Sequence, residues 1–238
     1  MARTTNKLQP VRTGTVKSQV VDALREAIFS GGVAPGEPLR EAHLGASLGV
    51  SQATVREALL TLEQAGLVQR NNRETTVTKL SPGDIAERSR LRAVLEGMAG
   101  VDAAKRMDRA AFAELDRRLD TIHKALKRDS YMDFMAADLE FHRFVWRASG
   151  DQMLYQVLDL ITLPMFAFLS IRRSRSLHHL SRTVRSHDPI VAALHSGDEH
   201  AIREAFRAHI EGSYKGFSQA SDAAPAEGLK RRRYAGAG

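Results

Sequence analysis

The chain has 238 residues and a mass of 26.3 kDa, enough for two domains of ordinary size. Hydrophobic residues make up 43% and charged residues 26%, a globular balance, and no run reaches the roughly 18 apolar residues that a membrane span needs. The lack of cysteine excludes a disulfide scaffold, a cysteine zinc finger, an iron–sulfur cluster and a thiol nucleophile, while a formal charge of +7 and a pI near 10.0 favour a polyanionic partner.

The charge is uneven: +3 over residues 1–80, +1 over 81–214 and +3 over 215–238, as in a nucleic-acid module joined to a nearly neutral domain. Residues 1–14 mix Thr, Asn, Gln, Pro and Gly without a periodic apolar face and read as a flexible arm. Their first residues carry charge with no apolar stretch behind, so the expectation is a cytoplasmic protein rather than a secreted one.

From Val16 the apolar positions Val20, Leu24, Ala27 and Ile28 recur at three- and four-residue steps and predict a helix that stops at Ser30-Gly31-Gly32. Pro35-Gly36-Glu37-Pro38 reads as a turn. A short helix fits Glu41 to Leu48, closed by Gly49, and Ser51 caps a third helix that buries Val55, Leu59 and Leu62. Two β-prone pieces around Asn71-Asn72-Arg73-Glu74 predict a small ribbon. Ser81-Pro82-Gly83-Asp84 opens a run of about six amphipathic helices, near 82–106, 108–128, 130–149, 151–176, 180–196 and 198–218, an antiparallel all-α bundle. The domains are therefore placed at 15–80 and 81–217. Residues 218–238, with Lys230, Arg231, Arg232 and Arg233, read as a disordered basic tail.

Two short helices joined by Leu48-Gly49-Val50-Ser51, with a ribbon behind, make a winged helix-turn-helix. The helix opening at Ser51 presents Ser51, Gln52, Thr54 and Arg56 where a recognition helix meets base edges. Gln suits adenine, Arg suits guanine or phosphate, and Thr suits either or a thymine methyl. Arg40 before the second helix, and Arg70, Asn72 and Arg73 on the ribbon, would meet phosphates or the minor groove. The bland alternative is a three-helix packing unit with solvated polar residues.

Leu39-Arg40-Glu41, Leu48-Gly49-Val50-Ser51, Val55-Arg56-Glu57-Ala58-Leu59, Leu62-Glu63 and Gly66-Leu67-Val68 resemble the winged helix of the GntR family of bacterial repressors over about residues 16–78. The resemblance implies that Arg56 matches a family DNA-contacting arginine. Gln52 replaces another, Ala42 stands where some relatives carry a third, and the family's glycine-rich wing tip is replaced by Asn71-Asn72-Arg73-Glu74. The expected operator therefore differs from the commonest family sequence.

Eight of the nine histidines lie after residue 122. Asp138 and His142 share a helix face at adjacent turns, and His187 and His209 sit on two later helices. One carboxylate and three imidazoles suit zinc, nickel or a similar first-row ion. A lone helical histidine is more often core or surface than ligand, which is the reading for His123, His178, His179, His195 and His200. Met165, Phe166 and Phe168 likewise read as core.

Asp138-x-x-Phe141-His142, His187 with Gly197-Asp198, Ala205-x-x-x-His209 and Leu91-Arg92 to Leu95-Glu96 resemble the FCD ligand-binding domain of the FadR-type GntR subgroup over about residues 84–215. That resemblance implies a helical bundle around a pocket, metal ligands at Asp138, His142, His187 and His209, and a small carboxylate or sugar-acid effector that Arg92 could meet. It also implies a homodimer on pseudo-palindromic operator DNA. A DNA-binding regulator with a purely structural metal is the second reading. A metal-dependent hydrolase or lyase is the third, weakened by the lack of a His-Glu-x-x-His motif or an evident general base.

Overall fold

The computed structural model describes residues 15–71, 74–127, 131–173 and 187–221. Residues 1–14, read from the sequence as an arm, Asn72, Arg73, His178, His179 and Lys230 to Arg233 lie outside them, as do residues 174–186, on which parts of two expected helices fall.

Three helices open the chain: α1 (Val16–Phe29), α2 (Glu41–Leu48) and α3 (Gln52–Gln64). The punctuation is local. The Thr15 hydroxyl caps α1, Gly49 at φ 66° turns the chain out of α2, and the Ser51 hydroxyl accepts the Thr54 amide at the start of α3. Val20, Leu24 and Ile28 of α1 pack with Val55, Leu59 and Leu62 of α3 in one core. Strands β1 (Val68–Asn71) and β2 (Glu74–Val77) pair antiparallel with Val68 opposite Val77.

The segment read as a turn at Pro35–Pro38 also lines the ribbon's edge. The Leu39 amide donates to the Thr75 carbonyl at 2.8 Å and the Val77 amide to the Glu37 carbonyl at 3.0 Å. Pro38 lacks an amide proton, but its neighbours supply the donors and acceptors that β2 would otherwise leave unpaired.

Among the described residues the remaining elements are helices: α4 (Pro82–Arg106), α5 (Arg109–Lys127), α6 (Tyr131–Ala148), α7 (Gln152–Arg173), α8 (Asp188–Ser196) and α9 (Glu199–Ser221). Ser81 and Asp84 form the reciprocal capping box of α4, with Pro82 in its first turn. Helix α9 continues to Ser221, past the expected start of the tail at Ser218. No Gly or Pro falls between Gly216 and Pro225 to stop it.

Helices α4 and α9 pack closely along their length, with Gly97 and Gly100 of α4 facing α9. A Cβ on Gly100 would come within 2.5 Å of the Phe206 ring and 2.8 Å of Ile202, so only glycine permits this separation. The approach matters because α4 and α9 carry opposite walls of the site described next. The same core continues from the bundle into the winged helix. Helix α7 lies against α1, and Pro164 within α7 approaches Gly66 just beyond α3.

Candidate functional site

Four buried side chains converge inside the bundle. Asp138 and His142 stand one turn apart on α6, His187 immediately precedes α8, and His209 projects from α9. One ligand atom from each lies within 4.8 Å of all the others. The His187 Nε2 is 2.7 Å from Asp138 Oδ1, His142 Nε2 is 3.4 Å from the same oxygen, and His142 Nε2 is 3.2 Å from His209 Nε2. His142 and His187 have no solvent exposure, and Phe141 presses an edge-on ring against each.

Behind His142 stands a carboxylate that the sequence reading passed over as a site residue. Glu96 on α4 is fully buried, and its Oε2 lies 2.5 Å from His142 Nδ1. Its other oxygen accepts from Arg92 Nε at 2.6 Å. Arg92, Glu96 and His142 thus form a buried chain into the cluster. The available signal was the four-residue spacing of Arg92 and Glu96, which most often marks a solvated helix pair.

Electrostatics follow from this enclosure. Burial raises the Glu96 carboxyl, but the charges of Arg92 and His142 outweigh it and bring it down to about 2. Burial pushes the His142 imidazole down, whereas Glu96 and the hydrogen bond to Asp138 carry it up to about 9. Burial opposes the Asp138 charge too, yet His187 and His142 hold that carboxyl well below the usual range. His209 is held well below the usual imidazole range by burial and by its neighbours His187 and His142. In the metal-free protein a charged His142 therefore faces a neutral His209, with its Nδ1 proton directed to Glu96.

The set fits a divalent cation. A carboxylate oxygen and three imidazole nitrogens face one another out of water, and one imidazole is held from behind by a carboxylate, as ligating histidines commonly are. Arg92 Nη2 is ion-paired with Glu96 Oε1 at 2.6 Å, and Trp146, whose ring lies 6.2 Å from that of His142, buries its Nε1 without an acceptor among the described residues. Arg92 also lies over the Phe166 ring, 5.4 Å from its centroid, and that ring meets His142 edge-on at 6.5 Å. Phe166 is core, as are Met165 and Phe168, but it lines the site as well.

The remaining described histidines lie elsewhere. His195 pairs with Asp116 at 2.8 Å and stacks on Phe112, His123 lies 3.3 Å from Asp188, and His43 and His200 are exposed.

A second cluster lies on the winged helix. Ser51, Gln52 and Arg56 are exposed at the start of α3, and Thr54 is half-buried with its hydroxyl 2.9 Å from that of Ser51. Between α2, α3 and the ribbon opens a cleft of about 500 Å³ lined by Arg40, Glu41, Arg56, Arg70, Glu74 and Thr75. The structure gathers Arg40, Arg56 and Arg70 on this face, with Arg70 Nε 3.4 Å from the Thr75 hydroxyl. Three guanidinium groups beside an exposed helix start can meet phosphates and base edges together.

Comparison with known proteins matches two family descriptions to this chain: bacterial regulatory proteins of the gntR family over residues 16–77, and the FCD domain over residues 87–212. The chain is 32% identical over 197 residues to the probable D-xylose utilization operon transcriptional repressor of Paenarthrobacter nicotinovorans, covering 82% of this chain and 86% of that one. It is 28% identical over 203 residues to the HTH-type transcriptional repressor RspR of Escherichia coli, covering 84% and 87%. Among solved structures, E. coli McbR/YncC matches with a TM-score of 0.76 over 87% of this chain and 99% of that one, at 21% identity, a likeness of fold.

Proposed function

Because the chain belongs to the GntR family of regulators and carries an FCD domain, we propose that it is a cytoplasmic, homodimeric repressor whose hold on a pseudo-palindromic operator answers to a small carboxylate or sugar acid at a metal centre. The family consists of transcriptional regulators rather than enzymes. The observation that carries the finer reading is the convergence of Asp138, His142, His187 and His209 in one buried cluster. These four would hold the ion, with zinc the first candidate and nickel or another first-row ion the alternatives. When bound, the ion supplies a Lewis-acid centre for an effector carboxylate. Arg92, ion-paired with Glu96 beside the cluster, would meet the same anion, and the unpartnered Trp146 Nε1 offers a further donor. The xylose-operon name of one relative supports a search among sugars and sugar acids.

DNA contact falls to Arg40, Ser51, Gln52, Thr54, Arg56 and Arg70, with Asn72 and Arg73 expected at the ribbon tip. Dimerisation is supported by an apolar stripe. Leu91, Val94 and Met98 on α4, and Met153, Val157 and Leu160 on the adjacent α7, are exposed, Val94 to 63% and Met153 to 67%. A second copy would cover them. Among the described residues no helix is long and apolar enough to cross a membrane.

Metal analysis of untagged protein tests the reading, followed by thermal melts with small carboxylates before and after chelation. The expected result is about one divalent ion per chain, and a carboxylate that stabilises only the metal-loaded form. His187→Ala should lose the ion and leave the winged helix folded; full occupancy in that variant would remove the assignment. Metal without any responding carboxylate favours the purely structural role. Val94→Asp should give monomers in sedimentation and weaker operator binding.

A further inference from the structure

Arg56 is not a free cation on the recognition helix. Its Nε donates to both oxygens of Glu41, at 3.1 and 3.0 Å, and its Nη2 donates to Oε2 at 2.8 Å. Glu41 is the first residue of α2, and its side chain is 24% exposed against 58% for Arg56. The less exposed partner thus anchors the more exposed one, across the turn between the two helices.

The clamp has a defined geometry. A guanidinium carries five N–H donors in one plane, and a carboxylate gripping the Nε–Nη2 edge fixes that plane. The Nη1 hydrogens and the second Nη2 hydrogen remain, and that end of the fork suits the N7 and O6 acceptors of guanine. An arginine left to rotate spreads over many rotamers and finds phosphate oxygens as readily as bases. Glu41 also places a negative charge in the cleft that faces the polyanion, which opposes phosphate binding. A residue that opposes general attraction while fixing a reading group acts on discrimination.

We propose that Glu41 is a positioning residue of the DNA-reading surface, holding the Arg56 guanidinium so that its free end meets a base and thereby setting the preference for operator over other DNA. The proposal rests on the reading that Arg56 touches DNA. It adds a residue of α2, outside the recognition helix, to the determinants of sequence preference.

The test uses the full chain and duplexes that it selects from a random-sequence library, with a scrambled duplex of the same composition as reference. Glu41→Ala is expected to lower the selected-over-scrambled affinity ratio about tenfold, with binding to the scrambled duplex unchanged or tighter. Glu41→Gln, nearly isosteric and still an acceptor, should restore part of the ratio, which separates positioning from loss of fold. In an Arg56→Ala background the Glu41→Ala change should have no further effect on the ratio. An undiminished ratio in Glu41→Ala overturns the proposal, and so does an equal loss with and without Arg56. If Arg56→Ala alone leaves the ratio intact, the reading of Arg56 itself fails, and the inference fails with it.

Discussion

Glu96 and His142 show how one buried contact governs what the cluster can bind. With Glu96 down to about 2 and His142 up to about 9, the metal-free protein holds an ion pair between them. An incoming cation must displace the proton on His142 Nε2. Metal affinity should therefore rise with pH up to about 9 and then level off, which chelator competition at several pH values would measure. The stability signs agree. The His142 contribution is complete below 6.5 and fades as pH rises through about 9, so the metal-free protein should melt at lower temperature there, with zinc restoring the most. Glu96 contributes above 4.5 and loses its contribution only as pH falls through about 2. Glu96→Gln should loosen zinc by about 10–100-fold, most clearly at high pH where proton competition has gone. An unchanged zinc affinity would leave Glu96 only a packing role. The convergence of Asp138, His142, His187 and His209 was legible in the sequence because residue type and spacing matched a known pattern. Glu96 was not, because a carboxylate four residues from an arginine looks alike on a wet face and inside a core, and only complete burial separates the two.

At the scale of elements, what the sequence disclosed was local and what it hid was non-local. Gly49, Gly197 and the Ser81–Asp84 box act on their own neighbours, and the helix boundaries they mark stand in the structure. The edge pairing of residues 36–39 with β2 depends on a partner nearly forty positions away, and no local signal reports it. Gly100 belongs to the second kind. It reads as an unremarked glycine in a long helix, costing helix propensity, yet it lets α4 approach Phe206 and Ile202 on α9. Gly100→Ala should strengthen the isolated helix and weaken the protein, because the added methyl meets a ring with no space to yield. A loss of about 1–3 kcal/mol in denaturant unfolding is expected. Zinc affinity should fall as well, since Glu96 on α4 and His209 on α9 would move apart. A variant as stable as the parent would mean that the two helices part without cost.

Across the whole molecule, packed contacts lead from the cluster to the reading head. Phe166 touches Arg92 and His142, and Pro164 lies two residues earlier on the same helix. Pro164 has no amide proton, so the Leu160 carbonyl lacks its usual partner within α7. A Cβ on Gly66, at φ 72°, would stand 3.0 Å from Pro164 Cγ and 3.4 Å from that carbonyl. Gly66 follows the recognition helix, and its carbonyl accepts the Thr78 hydroxyl at 2.6 Å, so α7 presses where α3 meets the ribbon. Contact alone does not make a switch; the ion must favour one arrangement of α7 over another. If it does, linkage demands reciprocity. Chelation should change the affinity for selected duplex by some factor, and saturating duplex should change zinc affinity by the same factor. Fluorescence anisotropy with and without chelator gives the first number, and zinc competition with and without duplex gives the second. Two equal factors well away from one establish coupling through the chain. Two factors of one make the metal a strut that does not couple the two sites. Gly66→Ala, which crowds the contact without touching either site, should bring both factors toward one together.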